Sequence, residues 1–317
     1  MELQELELVR TSLRHLLAST EPAQLPLALV EQGWDDLVAG DPDAVIAALF
    51  EEQGTARVAG PALDVVMLAA IGAVDPSTHA LVVAPFQRDV TCSAVRRDGV
   101  LHVDGLALAG CDRADRFVIG DDSTVWTVAC ASVTVAPTGA FDPAFGLGRV
   151  TGVVPIESAT AIAGAQEWCD AIAVGRRALA SELIGIGQHV NTITVEYVGA
   201  RVQYRRPIGS FQSVQHRLAD AHIALCAARD AVITASEERD EWSAMTAKAL
   251  AGRGVLQALA NCFQVHGGIA FTDEHELHEY FERATMLDSL LGGHRDLAWA
   301  IGSQLLTEMA LPRIPRL

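Results

Sequence analysis

Arg201, Arg205 and Arg206 stand close together beside a Pro207-Ile208-Gly209 turn, with Tyr204 between them and Phe211 and Gln212 just beyond. A guanidinium at a helix end is a bidentate phosphate donor, Tyr204 is a stacking surface, and a fresh helix supplies unpaired backbone N–H groups. That combination suits a dinucleotide pyrophosphate. The same residues also read as an ordinary helix–helix corner with Tyr204 and Phe211 in the core, or as a solvated cationic helix end favoured by the macrodipole. Some fifty residues on, Gln264 precedes His266-Gly267-Gly268. Adjacent glycines let the backbone approach a ligand closely and Gln264 can hydrogen-bond to a ribose or phosphate, although two glycines also make a plain helix C-cap. His275-x-x-His278 has the spacing of two metal ligands on a helix, but no third ligand is evident, so a structural, surface-facing role is expected and no metal.

The elements that must position these residues fall into three zones. From Met1 to about Gly72 the pattern is helical: Leu6, Val9, Leu13 and Leu16 share a face, Pro22 and Pro26 interrupt, and further helices run from Pro42 to Gln53 and Pro61 to Ile71. Short β-branched runs follow at Ala80–Ala84, Gly99–Asp104, Arg116–Ile119, Val125–Ala129 and Ser132–Ala136, predicting a small antiparallel sandwich or barrel. Helical periodicity then returns. One long helix is expected from Gly164 to Arg201, stopped by Pro207-Ile208-Gly209, and a second from an N-cap at Ser210 to about Glu237. A third spans Glu241 to Val265. A fourth is capped by Thr272, with Asp273 and Glu274 in its first turn and Leu277, Tyr280, Phe281, Ala284, Leu287 and Leu291 on its apolar face; a last segment runs from His294 to Leu311. The expectation is a mainly α chain with a middle β domain: 1–72 helical, 73–155 β, and 156–317 an antiparallel helical bundle.

Composition narrows the function classes. A length of 317 residues, half of them hydrophobic, suits two or three packed subdomains. The formal charge of −17 argues against nucleic acid, whose affinity comes from clustered Lys and Arg releasing counterions. No run of about eighteen uncharged apolar residues occurs, so no membrane partner is expected. Met1 to Glu7 has neither the basic region nor the apolar core of a secretion signal, which predicts a cytoplasmic location. The six scattered cysteines predict buried free thiols.

Read together, Arg201-Val-Gln-Tyr-Arg-Arg-Pro-Ile-Gly-Ser-Phe-Gln212, His266-Gly-Gly-Ile-Ala-Phe-Thr272 and Glu274-His-Glu-Leu-His-Glu-Tyr280 resemble the C-terminal signatures of the acyl-CoA dehydrogenase superfamily. Helices, a β sandwich and a helical bundle are also that family's order of parts, so the resemblance covers nearly the whole chain. It implies that Arg201, Tyr204, Ile208, Phe211 and Gln212 touch the FAD of a neighbouring subunit, with Gln264, Gly267 and Gly268 near its pyrophosphate and adenosine. The family's flavin-ring contacts, a Thr-Glu-Pro…Gly-Ser-Asp loop and a Trp-Ile-Thr stretch, have no counterpart in Ala84–Thr91 or Gly105–Asp115.

The base is missing in the same way. Taking an α-proton from a thioester needs a carboxylate within hydrogen-bond reach. The family places that Glu at positions that here are Leu291/Gly292 and Gly175. Asp288, Glu182 and Asp296 are acids nearby in sequence, read as solvated helix-surface residues. This pattern resembles the short subunit of actinobacterial heteromeric acyl-CoA dehydrogenases of steroid side-chain degradation. It implies a half-site, non-catalytic chain in a two-plus-two heterotetramer with a homologous full-length subunit, acting on an acyl-CoA, with a steroid side-chain ester as the candidate substrate and FAD as cofactor. A self-sufficient dehydrogenase with a displaced acid and a non-enzymatic acyl-CoA-binding scaffold stay open.

Overall fold

The computed structural model describes residues 3–72, 74–87, 90–139, 142–272 and 274–308. Five helices come first: α1 (Leu3–Ser19), α2 (Leu25–Glu31), α3 (Trp34–Gly40), α4 (Pro42–Ala56) and α5 (Ala62–Ile71). Leu13 and Leu17 bury one face of α1 against α4, and Arg10 and Arg14 reach Glu51 and Glu52 on that helix. The Asp41 carboxylate caps α4 by accepting the Ala44 N–H.

Eight short strands follow: β1 (His79–Leu81), β2 (Ala94–Arg97), β3 (Val100–Ala107), β4 (Arg116–Gly120), β5 (Thr124–Ala129), β6 (Thr134–Pro137), β7 (Gly148–Pro155) and β8 (Thr160–Gly164). They form two four-stranded sheets, ordered β1-β4-β5-β8 and β2-β3-β7-β6. Their facing surfaces bury Val82, Leu101, Val103, Phe117, Ile119, Val128, Val150 and Val154. Two details depart from expectation. The β1–β4 pair is parallel, and β2, β7 and β8 were not foreseen: β2 and β8 are short and rich in polar or small residues, and Gly152 interrupts the β-branched run of β7.

The bundle opens with α6 (Ala165–Ala200), followed by a two-strand hairpin, β9 (Val202–Gln203) and β10 (Arg206–Pro207), then α7 (Gln212–Glu238), α8 (Glu241–His266), α9 (Leu277–Ser289) and α10 (His294–Glu308). Gly54 and Gly185 let α4 and α6 touch backbone to backbone: a side-chain carbon on either would lie 2.1–2.2 Å from a carbonyl oxygen of the other helix. Three boundaries are corrected. The hairpin, not Pro207, ends the long helix, because the chain turns at Arg201. Ser210 is not the cap of α7; its hydroxyl donates to Pro207 O inside a short 3-10 turn, and Phe211 holds the cap position. Thr272 likewise donates to Ile269 O and α9 starts only at Leu277, with Glu276 at its cap. Asp273 and residues 309–311 of the expected last segment lie outside the described residues.

A buried ionic knot ties the three zones. Arg283 of α9 is fully buried, donates through Nε to Asp142 and through its other nitrogens to Val58 O and Arg57 O, and lies 3.7 Å from Glu182 of α6. Gln53 of α4 donates to the second Glu182 oxygen at 3.1 Å.

Candidate functional site

The hairpin after α6 is built around two residues in the left-handed region, Tyr204 (φ 52°) and Arg205 (φ 67°), and is closed where Ile208 N–H donates to Arg201 O at 2.8 Å. The turn stands away from the bundle: Tyr204 is 86% exposed, which removes the reading that places it in a core corner. Arg206 is committed to the Phe211 ring, 4.0 Å from its centroid. Arg201 and Arg205 are exposed and have no side-chain partner among the described residues. Gln212 opens α7, whose cap position carries no side-chain bond, leaving its first N–H groups available.

The second signature sits at the same end of the bundle. His266 is buried and stacks on Tyr197, one turn before Arg201, with ring centroids 4.2 Å apart; Arg217 near the start of α7 donates to Asn261 of α8. Gly267 adopts φ 71° and ψ −146°, a conformation that side chains resist, and so ends α8 sharply. Beside it opens a cavity of about 660 Å³ lined by Phe263, Gln264, Gly267, Gly268, Phe271, His278, Phe281 and Glu282. The structure therefore gathers Gln264, Gly267 and Gly268 in one cavity. Arg201, Tyr204, Ile208, Phe211 and Gln212 lie outside it, on the hairpin and its exit.

Three cavity residues escaped sequence reading. Phe281 belongs not to the buried stripe of α9 but to this wall, edge-on to Phe263, which also meets Phe271 at a tilt. His278, three residues before Phe281, and Glu282, four after His278, share this face at helical spacing, a signal that the spacing of His275 and His278 obscured. Those two histidines are locally engaged instead: His275 Nδ1 accepts the Leu277 N–H, His278 Nδ1 donates to His275 O, and the His275 ring packs edge-on to His266 rather than facing solvent.

The opposite end of α9 looks different. Gly175 and Leu291, the two places where the resemblance puts a base, face each other: a side-chain carbon on Gly175 would lie 2.6 Å from Leu291 Cδ1 and 2.6 Å from Met67 Sδ. Leu291 (φ 55°) and Gly292 (φ 105°) shape the turn between α9 and α10. Buried Arg176 donates to Leu291 O at 3.1 Å, and fully buried Lys248 donates to Asp288 O at 2.8 Å. Burial lowers the Lys248 ammonium to about 8 despite the opposing pull of Asp288. A smaller cavity, about 390 Å³, adjoins this turn and is walled by Arg176, Glu241, Met245, Asp296, Thr91 and Phe86 among others.

None of the acids weighed from sequence is a free carboxylate aimed at that turn. Glu182 and Asp288 are buried rather than solvated, because each is tied inside the bundle. Glu182 lies in the knot with Arg283, where burial pushes it up to about 7 against the pull of that arginine. Asp288 accepts from the His294 N–H and its ring Nδ1. Asp296 is half-buried on the cavity wall. Glu241, not foreseen, shares that wall, but Arg176 NH1 holds it at 3.2 Å. Of the two loops that would face a flavin ring, Ala84–Gln87 with Val90 and Thr91 reaches this cavity, Arg88 and Asp89 lie outside the described residues, and Gly105–Asp115 does not line it. All six cysteines are free, only Cys262 is buried, and Cys169 and Cys226 are exposed, contrary to the expectation of buried thiols.

Residues 164–306, which span both ends of this site, match the acyl-CoA dehydrogenase C-terminal domain. Over 271 residues the chain is 33% identical to the acyl-CoA dehydrogenase IpdE2 of Mycobacterium tuberculosis, covering 84% of this chain and 79% of that protein. The chain belongs to the acyl-CoA dehydrogenase family. It is also 35% identical over 148 residues to IpdE2 of Mycolicibacterium smegmatis, 47% of this chain and 46% of that one. Among solved structures, a variant of the steroid acyl-CoA dehydrogenase Tcur3481-Tcur3483 superposes with a TM-score of 0.79 at 22% identity, covering 97% of this chain and 99% of that one. The ChsE4-ChsE5 complex from Mycobacterium tuberculosis gives 0.77 at 19% identity, with 99% of each chain covered. At such identities these two likenesses speak to the fold. Membership of this family makes oxidoreductase chemistry on acyl-CoA thioesters, with a flavin, the general setting of both ends of the bundle. Among the described residues no helix is long and apolar enough to cross a membrane.

Proposed function

We propose that this chain is the half-site, non-catalytic subunit of a heterotetrameric FAD-dependent acyl-CoA dehydrogenase. A homologous full-length subunit would supply the base and the flavin-ring contacts. The observation that carries this reading is the packing of Leu291 against Gly175: both family positions for the carboxylate are apolar here, and the space between them is filled.

The residues present fit the adenosine and phosphate end of FAD. The cavity beside Gly267 offers three phenylalanine faces, a free Gln264 amide and backbone exposed at two glycines. Arg201 and Arg205 offer unpaired guanidinium groups, and α7 offers an uncapped N-terminus. FAD, when bound, accepts the β-hydride equivalent of the acyl chain. On this chain, Arg201 would hold a phosphate oxygen, Gln264 a ribose or phosphate oxygen, and the hairpin would project these groups into a neighbouring subunit. Removal of the α-proton falls to the partner, because Asp296 and Glu241 lie beside an apolar turn and Glu241 is neutralised by Arg176. A steroid side-chain ester is the substrate class that the steroid-related structural neighbours favour. The cytoplasm is the expected setting.

Expression of the chain alone and with a homologous subunit tests this reading. The chain alone should be colourless and without dye-reducing activity, and the pair should be yellow and active. A yellow, active chain by itself overturns the proposal in favour of a self-sufficient enzyme.

A further inference from the structure

We infer that the cavity beside Gly267 discriminates between the two adenine nucleotides this chain would meet: it accepts an adenosine with a free ribose diol, as in FAD, and rejects the 3′-phosphorylated adenosine that terminates coenzyme A. The inference rests on the half-site reading and adds the basis of its selectivity. The polar groups of the cavity carry it. His278 Nδ1 lies 2.7 Å from His275 O, and since a carbonyl can only accept, the proton of the neutral ring is on Nδ1 and Nε2 is left as an acceptor. Glu282, one turn along α9, is a second acceptor and has no ion pair or hydrogen bond among the described residues. Among the described residues, Gln264 is the only amide on the wall and no Lys or Arg lines it. Phe263, Phe271 and Phe281 provide apolar faces for a flat ring, with Phe263 5.0 Å from Phe271 and 5.8 Å from Phe281.

Such a wall takes up ligand N–H and O–H donors, which adenosine presents in its exocyclic amine and its 2′,3′-diol. A phosphate on that diol brings a dianion against a carboxylate with no cation to offset it, so specificity comes from repulsion as much as from attraction. The 5′-phosphates escape the conflict because the unpaired cations, Arg201 and Arg205, stand outside the cavity on the hairpin. The cavity is thus acidic where the adenosine ends and the hairpin is basic where the phosphates run.

The test is binding of ADP and of 3′-phospho-ADP to the full chain assembled with its homologous subunit and stripped of flavin, followed by calorimetry. The wild type should bind 3′-phospho-ADP at least about tenfold more weakly than ADP. Glu282→Gln should shrink that ratio to a few-fold and Glu282→Lys should reverse it, with circular dichroism and assembly unchanged. An unchanged ratio in both variants, or equal affinity of the wild type for the two nucleotides, overturns the inference. The Arg201→Ala variant separates this failure from that of the half-site itself. If Arg201→Ala weakens both nucleotides together while the Glu282 variants leave the ratio unchanged, the phosphate site stands and only the discrimination falls. If the wild type binds neither nucleotide, both readings fall. Among wild-type controls, 2′-deoxy-ADP and the analogue with hydrogen in place of the 6-amine show whether the diol or the amine is the donor that Glu282 holds.

Discussion

The two ends of α9 differ in how their polar groups are used. At its N-terminal end, around Gly267, Gln264 and Glu282 have no side-chain partner among the described residues, and Arg201 and Arg205 stand exposed on the hairpin. At its C-terminal end, Arg176, Lys248 and Asp288 are buried and each is bonded, two of them to the backbone of the turn that carries Leu291. Accessible donors and acceptors without a protein partner are open to a ligand, whereas buried groups bonded to one another serve stability. Under the proposed half-site reading, the open end is kept for the cofactor and the end where a base would stand has become packing.

The largest effect should come from forcing the lost base back. Gly175→Glu places a carboxylate against Leu291 and Met67, and a buried charge without a fitting partner costs about 3–5 kcal/mol. A fall in Tm of many degrees with no dehydrogenase activity from the isolated chain is expected. A stable, active Gly175→Glu chain would show that the closed end is still a working site.

At the open end, Arg201→Ala should weaken FAD retention by the about 1.5–3 kcal/mol of a charge-assisted phosphate contact while assembly persists. Flavin content after extended dialysis reads this. Unchanged content would remove the hairpin from the cofactor site.

A subtler difference lies in pH. Burial raises Glu182 from 4.5 to about 7, so in the folded state it holds a proton that the unfolded chain has already lost. Its contribution is complete below the unfolded value and lost as pH rises through about 7, which lowers stability from mildly acidic toward alkaline pH. Glu182→Gln should flatten that part of the Tm profile. An identical slope in both proteins would place the linkage elsewhere.

The smallest effect is reserved for the acid nearest the closed turn. Asp296→Ala in the assembled complex should lower kcat by less than about tenfold, whereas loss of a general base costs at least about a hundredfold. A drop beyond that would make this chain catalytic.

What the sequence disclosed follows from how local each signal is. The bundle helices were legible because the 3.6-residue period persists over long runs, and Gly267 announced the end of α8 through a conformation only glycine takes easily. The hairpin at Tyr204 and Arg205 was hidden, since neither residue favours the left-handed region and no Asn-Gly pair marks the turn. Strands β2 and β8 were hidden by polar or small residues whose pairing is set by neighbours. Within the site, the absence of a base could be read at Gly175 and Leu291, but their mutual contact could not, since they lie far apart in sequence. The burial of Glu182 needed Arg283 and Asp142, contributed by other elements. Phe281 read as part of the apolar stripe, His278 as surface, and Glu282 stood out in no way, because the cavity they line exists only once α8 and α9 are placed side by side.

The flavin content of the purified complex tests the division between the two ends most directly. With this chain and its homologous subunit in equal amounts, the absorbance spectrum should give about one FAD for every two chains, because sites built on this chain's β sheets lack the ring contacts. One FAD per chain would contradict the half-site assignment.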